Sequence, residues 1–390
     1  MGMHIARFGR AAGAAALAVT ILSTSSFAAA PPTIPTTDAG TIAGIGATFP
    51  APLYNEWSSQ FKADYPSAIV SFTYAANGSG AGVTAVKNSA ADYGASDAAL
   101  SDADMTATSG IRGGVTNIPM TVGGVVLAYR LAGVKTISTG KVVTLKLTAS
   151  IISAIYAGKI TWWDNATIKS VNLGVKIPHT RITPVRRSDS SGTTFVFQAF
   201  LKTVATWNCI LGVAGPQKTF NTSPQACLGG KSIPGVGAPR NSGVAAKVAA
   251  VNGAIGYMEY AYGVTAGLKM ARVKNKAGIY LTPTTSSFSA AAAAAAPTVP
   301  TDLRAAPIIL KPGVTSWPIT AFSYLLSYKD LSFMGSTEKA QMYVAYLYWS
   351  LTTGQSFSRP MGYAPLPTAI KTKALAVLHT LQYNGSAVWP

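Results

Sequence analysis

Three stretches of this chain bring glycines, hydroxyls and backbone amides to what reads as the start of a helix. They are Gly44-Ile45-Gly46-Ala47-Thr48-Phe49-Pro50, Asn77-Gly78-Ser79-Gly80-Ala81-Gly82 and Arg187-Ser188-Asp189-Ser190-Ser191-Gly192-Thr193. The first amides of a helix have no intrahelical partner, and the helix dipole makes that end positive. An anion is the natural occupant of such an end. One junction of this kind says little, because Ser, Thr and Asp are also ordinary helix caps. Three in one chain, two of them rich in glycine, point to an oxyanion site built from several loops.

Two charges sharpen that reading. Arg187 opens the third junction, and a guanidinium grips a tetrahedral oxyanion through paired hydrogen bonds. Asp189, two residues on, is placed to hold the guanidinium from behind. Asp97 closes Tyr93-Gly94-Ala95-Ser96-Asp97, at the carboxyl end of an expected strand, where α/β proteins place their ligands. A carboxylate repels an anion unless the ligand carries a proton that the carboxylate accepts. Phosphate near neutral pH has such a proton and sulfate has none. Taken alone, Asp97 reads as a cap for a helix from Leu100 onward.

Strands must end and helices begin at these junctions, and the hydropathy pattern supplies both. Strands are expected at 41–44, 69–74, 93–96, 122–129 and 254–260. Helices are expected over 50–65, with Leu53, Trp57 and Phe61 on one face, and over 82–89, 148–156 and 193–202. Strand–helix alternation predicts an α/β fold with mostly parallel pairing. The seven alanines at 290–296 follow Thr285-Ser286-Ser287 and read as a short helix with a hydroxyl cap, or else as a linker.

Composition limits what such a fold is for. The 390 residues carry 31 Lys and Arg against 13 Asp and Glu, a formal charge of +18, yet only 11% of residues are charged and 48% are apolar. That apolar content excludes disorder. The positive balance comes from scarce acids rather than dense basic blocks, which argues against nucleic acid. Lys269, Arg272, Lys274 and Lys276 form a basic patch broken by Met270 and Val273, read as a solvated strand or turn. Residues 1–30 have a basic start, an apolar stretch at 11–22 and Ala28-Ala29-Ala30. They read as a secretory signal peptide, the rival being a buried N-terminal helix. No Cys lies near the cleavage region to carry a lipid. Export suits Cys209 and Cys227, which read as a disulfide or as two free buried thiols. His4, His179 and His379 are too few and scattered for a metal cluster.

These residues resemble the periplasmic phosphate-binding protein that serves the phosphate-specific ABC transporter. The resemblance runs through GIGATFPAPLY at 44–54, residues 78–83, 94–97 and 122–128, IYAGKITWWD at 155–164, VRRSDSSGTTFVF at 185–197, GAIGYMEYAY at 253–262 and WPIT at 317–320. The segments keep family order from about Gly40 onward. The resemblance implies that Thr48, Phe49 (through its backbone), Ser79, Asp97, Arg187, Ser191, Gly192 and Thr193 bind phosphate, with Asp189 pairing to Arg187. It departs at Gly80 and Ala81, where relatives often show Ser and Gly, and at 234–243, unlike the usual Gly-Lys-Gly-Asn-rich loop.

The fold it implies is a two-lobed, type 2 periplasmic binding protein, joined by two crossovers near Pro119 and Pro283. After a linker at 31–39, one lobe combines 40–119 with 284–390 and the other is 120–283, with the ligand in the cleft between them. The function it implies is that of an exported, monomeric, periplasmic solute-binding protein, without cofactor, nucleic acid or enzymatic activity. It would capture inorganic phosphate for the membrane permease of an ABC importer. A secreted phosphatase-like protein and an adhesion protein on the same scaffold are the alternatives.

Overall fold

The apolar stretch at 122–129 belongs to a longer strand than its hydropathy marks. This emerges from a computed structural model, which describes residues 30–37, 39–212 and 215–390. The leader read from residues 1–30 lies outside the described residues but for Ala30. Residues 32–390 form one compact unit.

Strand β1 (Gly40–Gly46) leads through the first junction into helix α1 (Ala51–Asp64), and β2 (Val70–Ala75) through the second into α2 (Ser79–Lys87). After β3 (Tyr93–Ser96) comes the long β4 (Val115–Tyr129). β5 (Thr183–Arg187) enters α3 (Gly192–Leu201) through the third junction, and β6 (Val236–Ala238) enters α4 (Arg240–Ala250). β7 (Ala254–Glu259), α5 (Thr285–Ala295), β8 (Ile319–Tyr328) and α6 (Thr337–Leu351) complete the elements that position the site.

The main sheet runs β2-β1-β3-β8-β4-β7-β5-β6. Its outer strands pair in parallel, β1 with β2 and β3, and β5 with β6 and β7. Its centre does not, contrary to the expectation of mostly parallel pairing: β8 is antiparallel to β3 and β4, and β4 is antiparallel to β7. All of β8 and all of β4 except Thr116 are buried. A fully buried antiparallel strand is as continuously apolar as a parallel one, so hydropathy cannot separate the two. The crossover expected near Pro119 falls inside β4.

Helix α1 buries Leu53, Tyr54, Trp57 and Phe61, and Phe61 meets Phe72, Tyr346 and Trp349 edge-on at 5.4–5.7 Å between ring centres. The polyalanine segment is helix rather than linker: α5 is capped by Thr284 and Ser287 in a reciprocal box. Its Phe288 lies so close to β4 that a Cβ on Gly124 would sit 2.2 Å from the ring. Cys209 and Cys227 are joined as a disulfide. The basic patch forms the short strands Lys269–Met270 and Arg272–Lys274, with Lys269, Lys274 and Lys276 exposed.

Candidate functional site

All three junctions close on the N-terminus of α3. Gly192, its first residue, donates its amide to Ser79 Oγ at 3.0 Å, and Ser79 is the first residue of α2. Ser79 Oγ also accepts the Asp97 amide at 3.3 Å, which leaves its proton for Asp97 Oδ2 at 3.4 Å. Thr193, next along α3, presents its hydroxyl to Arg187 Nη1 at 3.5 Å and to Asn241 Nδ2 at 3.4 Å. Asn241 Nδ2 also reaches Thr48 Oγ1 at 3.0 Å, which ties in the first junction. Ser191 caps α3, its hydroxyl accepting the Thr194 amide at 3.1 Å. Thr48, Phe49, Ser79, Asp97, Arg187, Ser191 and Thr193 are all buried.

Arg187 is held from behind, as its spacing to Asp189 suggests. Nε donates to Asp189 Oδ1 at 2.7 Å, and Nη2 donates to Oδ2. Burial pushes the Asp189 carboxyl up, but the bonds and charge of Arg187 and the Arg240 amide outweigh it and hold it below the usual carboxylate range. The fork is thus committed on one edge, leaving Nη1 toward Thr193. Phe49 is fixed at both ends of the residue. Its carbonyl accepts from the Tyr363 hydroxyl at 2.6 Å, and a Cβ on Gly123 would lie 2.4 Å from its ring.

The second junction differs from its expected form. The helix begins at Ser79 rather than Gly82, so Gly80 and Gly82 lie in its first turn. Their glycines serve close approach: a Cβ on Gly80 would sit 2.3 Å from Ser190 Oγ, and one on Gly82 2.3 Å from the Ala95 carbonyl. Gly78, with φ of +101°, makes the actual turn. Asp97 is not a helix cap. The helix after it (Asp102–Thr108) is capped by Ser101 and Asp104 in a reciprocal box, which frees the Asp97 side chain for the site.

Asp97 sits in a low-dielectric pocket. Burial pushes its carboxyl up to about 7, against hydrogen bonds from Ser323 and Ser79 and the charge of Arg187, which favour the ionised form. Ser323 donates to Oδ1 at 2.8 Å from the position where the β8–β4 register slips, and such a bulge re-aims a side chain.

Several residues of the site escaped the sequence reading. Asn241 lies in the first turn of α4, reached from β6 through Pro239. This is a fourth strand-to-helix junction whose signal is Pro-Arg-Asn-Ser-Gly, within the loop noted only as a departure. Ser323 has no local signal, since only the bulge brings it to Asp97. Tyr257 donates to neither carboxylate but accepts the Arg187 amide at 3.0 Å and bonds the Thr194 hydroxyl at 2.7 Å. Tyr262 donates to the Thr48 carbonyl at 2.6 Å. Lys218 accepts the Ser191 amide on its carbonyl at 2.8 Å, and its charge acts on Asp97.

Glu259, at the end of β7, is the second buried acid. Its Oε2 accepts the Ala261 amide at 2.8 Å, and Oε1 has no hydrogen-bond partner. Burial pushes its carboxyl far up. An acid whose pKa rises on folding binds its proton more tightly in the folded state. Stability therefore falls as pH rises from the unfolded value through the folded one. Glu259→Gln, which mimics the neutral acid, is expected to raise the melting temperature more at about pH 8 than at about pH 5. Thermal unfolding of the anion-free protein at both pH values checks this, and a uniform loss at both would refute it.

A family model described as a PBP superfamily domain matches residues 31–351. The chain is 33% identical over 338 residues to the phosphate-binding protein PstS of Xylella fastidiosa strain 9a5c, covering 86% of this chain and 84% of that protein. It is 32% identical over 362 residues to that of Pasteurella multocida strain Pm70, covering 91% and 95%. Among solved structures, a high affinity periplasmic phosphate-binding protein (PfluDING) bound with phosphate matches with a TM-score of 0.65 at 23% identity, covering 90% of this chain and 96% of that one. At that identity the match speaks for the fold.

Proposed function

Since the chain belongs to the phosphate-binding protein PstS family of the PBP superfamily, we propose that its buried junction cluster is a phosphate site. The protein captures inorganic phosphate and delivers it to the membrane permease of an ABC importer, working as an exported, periplasmic solute-binding protein.

The observation that carries this reading is the pairing of opposites around the α3 N-terminus. On one side stand a guanidinium braced by Asp189, helix-end amides and the hydroxyls of Thr48, Ser79 and Thr193. On the other stands Asp97, whose Oδ2 accepts from the Ser79 hydroxyl at 3.4 Å. Such a set neutralises a tetrahedral oxyanion and still requires that it bring a proton. Residues 40–119 with 284–390 form one lobe, and 120–283 the other. On this division Thr48, Ser79 and Asp97 come from the first, while Arg187, Thr193 and Asn241 come from the second. Contacts such as Gly80 amide to Ser190 carbonyl, 3.1 Å, and Arg240 to Asn77, 3.2 Å, then bridge the lobes, and phosphate favours the closed arrangement.

The binding reading is favoured over a phosphatase by where the bases are. Neither described histidine belongs to the cluster, His179 being engaged by Asp164 and Trp162 and His379 by Trp389. The carboxylate that does stand beside a hydroxyl, Asp97 at 3.4 Å from Ser79 Oγ, serves on this reading to accept the ligand's proton. Isothermal titration tests the assignment: phosphate should bind one to one, and sulfate about a hundredfold more weakly, the scale of one buried acceptor left facing a ligand without a proton. Equal affinities would overturn the assignment.

Gly192→Ala is expected to weaken phosphate binding about tenfold, equal to about 1.4 kcal/mol. A Cβ there would lie 2.6 Å from Ser79 Oγ and 2.7 Å from Asp97 Oδ2, so the junctions must separate to admit it. Titration with an unchanged affinity would show that the closure is looser than these distances imply.

A further inference from the structure

The chain's positive charge is not spread over it. Residues 120–283 contain 19 Lys and Arg against three Asp and Glu, whereas 31–119 and 284–390 together contain ten of each. Of the three acids, Asp189 and Glu259 are taken up in the site described above. The central segment therefore presents a strongly basic exterior, with Asp164 its one remaining carboxylate.

One edge of this segment combines that charge with exposed aliphatic side chains. The short strands Lys135–Thr136 and Val175–Lys176 pair antiparallel, with Lys135 opposite Lys176. Ile137 continues the pairing through its amide to the Gly174 carbonyl at 2.8 Å, and Val142 bridges to Lys135. Ile137, Val142 and Leu173 are 72%, 67% and 85% exposed at this edge. Ile137 and Leu173 line one shallow surface hollow together with Lys169 and Lys176. Lys135, Lys141, Lys169 and Lys176 are exposed around them. Among the described residues, only Lys169 of these four has an ion-pair partner, Asp164 at 3.6 Å.

We propose that this edge docks the protein on an anionic lipid surface. Ile137, Val142 and Leu173 enter the headgroup region, and the surrounding lysines face lipid phosphates. Aliphatic tips ringed by lysines are the composition of a face that lies in a membrane interface. The cores of protein–protein contacts are instead enriched in aromatic residues and Arg and depleted of Lys. Lysines suit the lipid geometry because their alkyl stems lie along apolar surface while their ammonium groups stay in water. A protein held in this way searches for a membrane partner along the bilayer rather than through the surrounding volume. The proposal does not depend on the phosphate assignment.

The test is co-sedimentation of the leaderless chain, whose residues 32–390 form one compact unit, with phosphatidylcholine vesicles containing or lacking about 30% phosphatidylglycerol. Binding to the anionic vesicles should be at least about tenfold stronger and should weaken as salt rises. A triple variant, Ile137→Ser with Val142→Ser and Leu173→Ser, should lose about tenfold in vesicle binding at unchanged net charge. Lys135→Glu with Lys141→Glu and Lys176→Glu should lose more. Both variants should keep the parent's circular dichroism spectrum and cooperative thermal unfolding, which shows that they fold whether or not phosphate binds. Equal binding to neutral vesicles would overturn the proposal, as would full binding by the serine variant. So would displacement by soluble polyglutamate that is indifferent to the serine changes, which would identify an acidic protein as the partner.

Discussion

Arg187→Ala is expected to weaken phosphate binding by about 2–4 kcal/mol, about 30- to 1,000-fold. Arg187 is 2% exposed, so its hydrogen bonds to an anion are made out of water, where charge-assisted bonds are strongest. The loss has two parts. The ligand forfeits a buried cation, and Asp189, which takes Nε and Nη2 of the same group, is left facing the site without its charged partner. Arg187→Lys should fall between the two. An ammonium keeps the charge but cannot serve Asp189 and the ligand through separate edges of one plane. Titration calorimetry on both variants checks the series, and an alanine variant within about threefold of the parent would remove Arg187 from the site.

Asp97→Asn is expected to collapse the discrimination between phosphate and sulfate. In the parent, an ionised Asp97 accepts the ligand's proton and meets sulfate with a bare negative charge. An amide offers a donor to either ion, so sulfate gains and phosphate loses its privileged contact. The position of the carboxyl's titration adds a pH signature. Burial holds it near 7, so below that value the neutral acid also donates. Parental selectivity should therefore decline as pH falls through about 7, while the Asn variant stays unselective throughout. Competition titrations at about pH 6 and pH 8 decide this, and a variant that rejects sulfate as fully as the parent refutes it. The same raised value means that, without ligand, this acid too costs stability as pH climbs from the unfolded range toward 7.

Much of this was legible in the residues because the site is made of local devices. A junction such as Ser191-Gly192-Thr193 carries its cap, its close-approach glycine and its hydroxyl within three positions, and α3 starts at Gly192. Arg187 and Asp189 find each other two residues apart on the same strand end. Asp97 was harder: a lone acid before a helix ordinarily caps it, and only the capping box at Ser101 and Asp104 releases it. What depends on long-range register stayed hidden. Ser323 reaches Asp97 across 226 positions through a slip in the β8–β4 ladder, and no local pattern encodes that slip. Asn241 contacts Thr48 and Thr193 over separations of 193 and 48 positions, and its junction lacks the glycine run that marks two of the other three. The antiparallel centre was hidden for a related reason, since burial on both faces erases the alternation that would distinguish it.

The paired glycines of β4 have a longer reach than their lack of a side chain suggests. Phe49 rests on Gly123 and Phe288 on Gly124, so two aromatic rings press on neighbouring positions of one bare strand. A single methyl group at Gly123 would be felt by Phe49, and through it by Thr48. A cell scavenging a scarce nutrient would then lose uptake through a change in a residue with no polar side-chain atom to offer. Selection for efficient scavenging thus falls on plain backbone as firmly as on any side chain of the binding site.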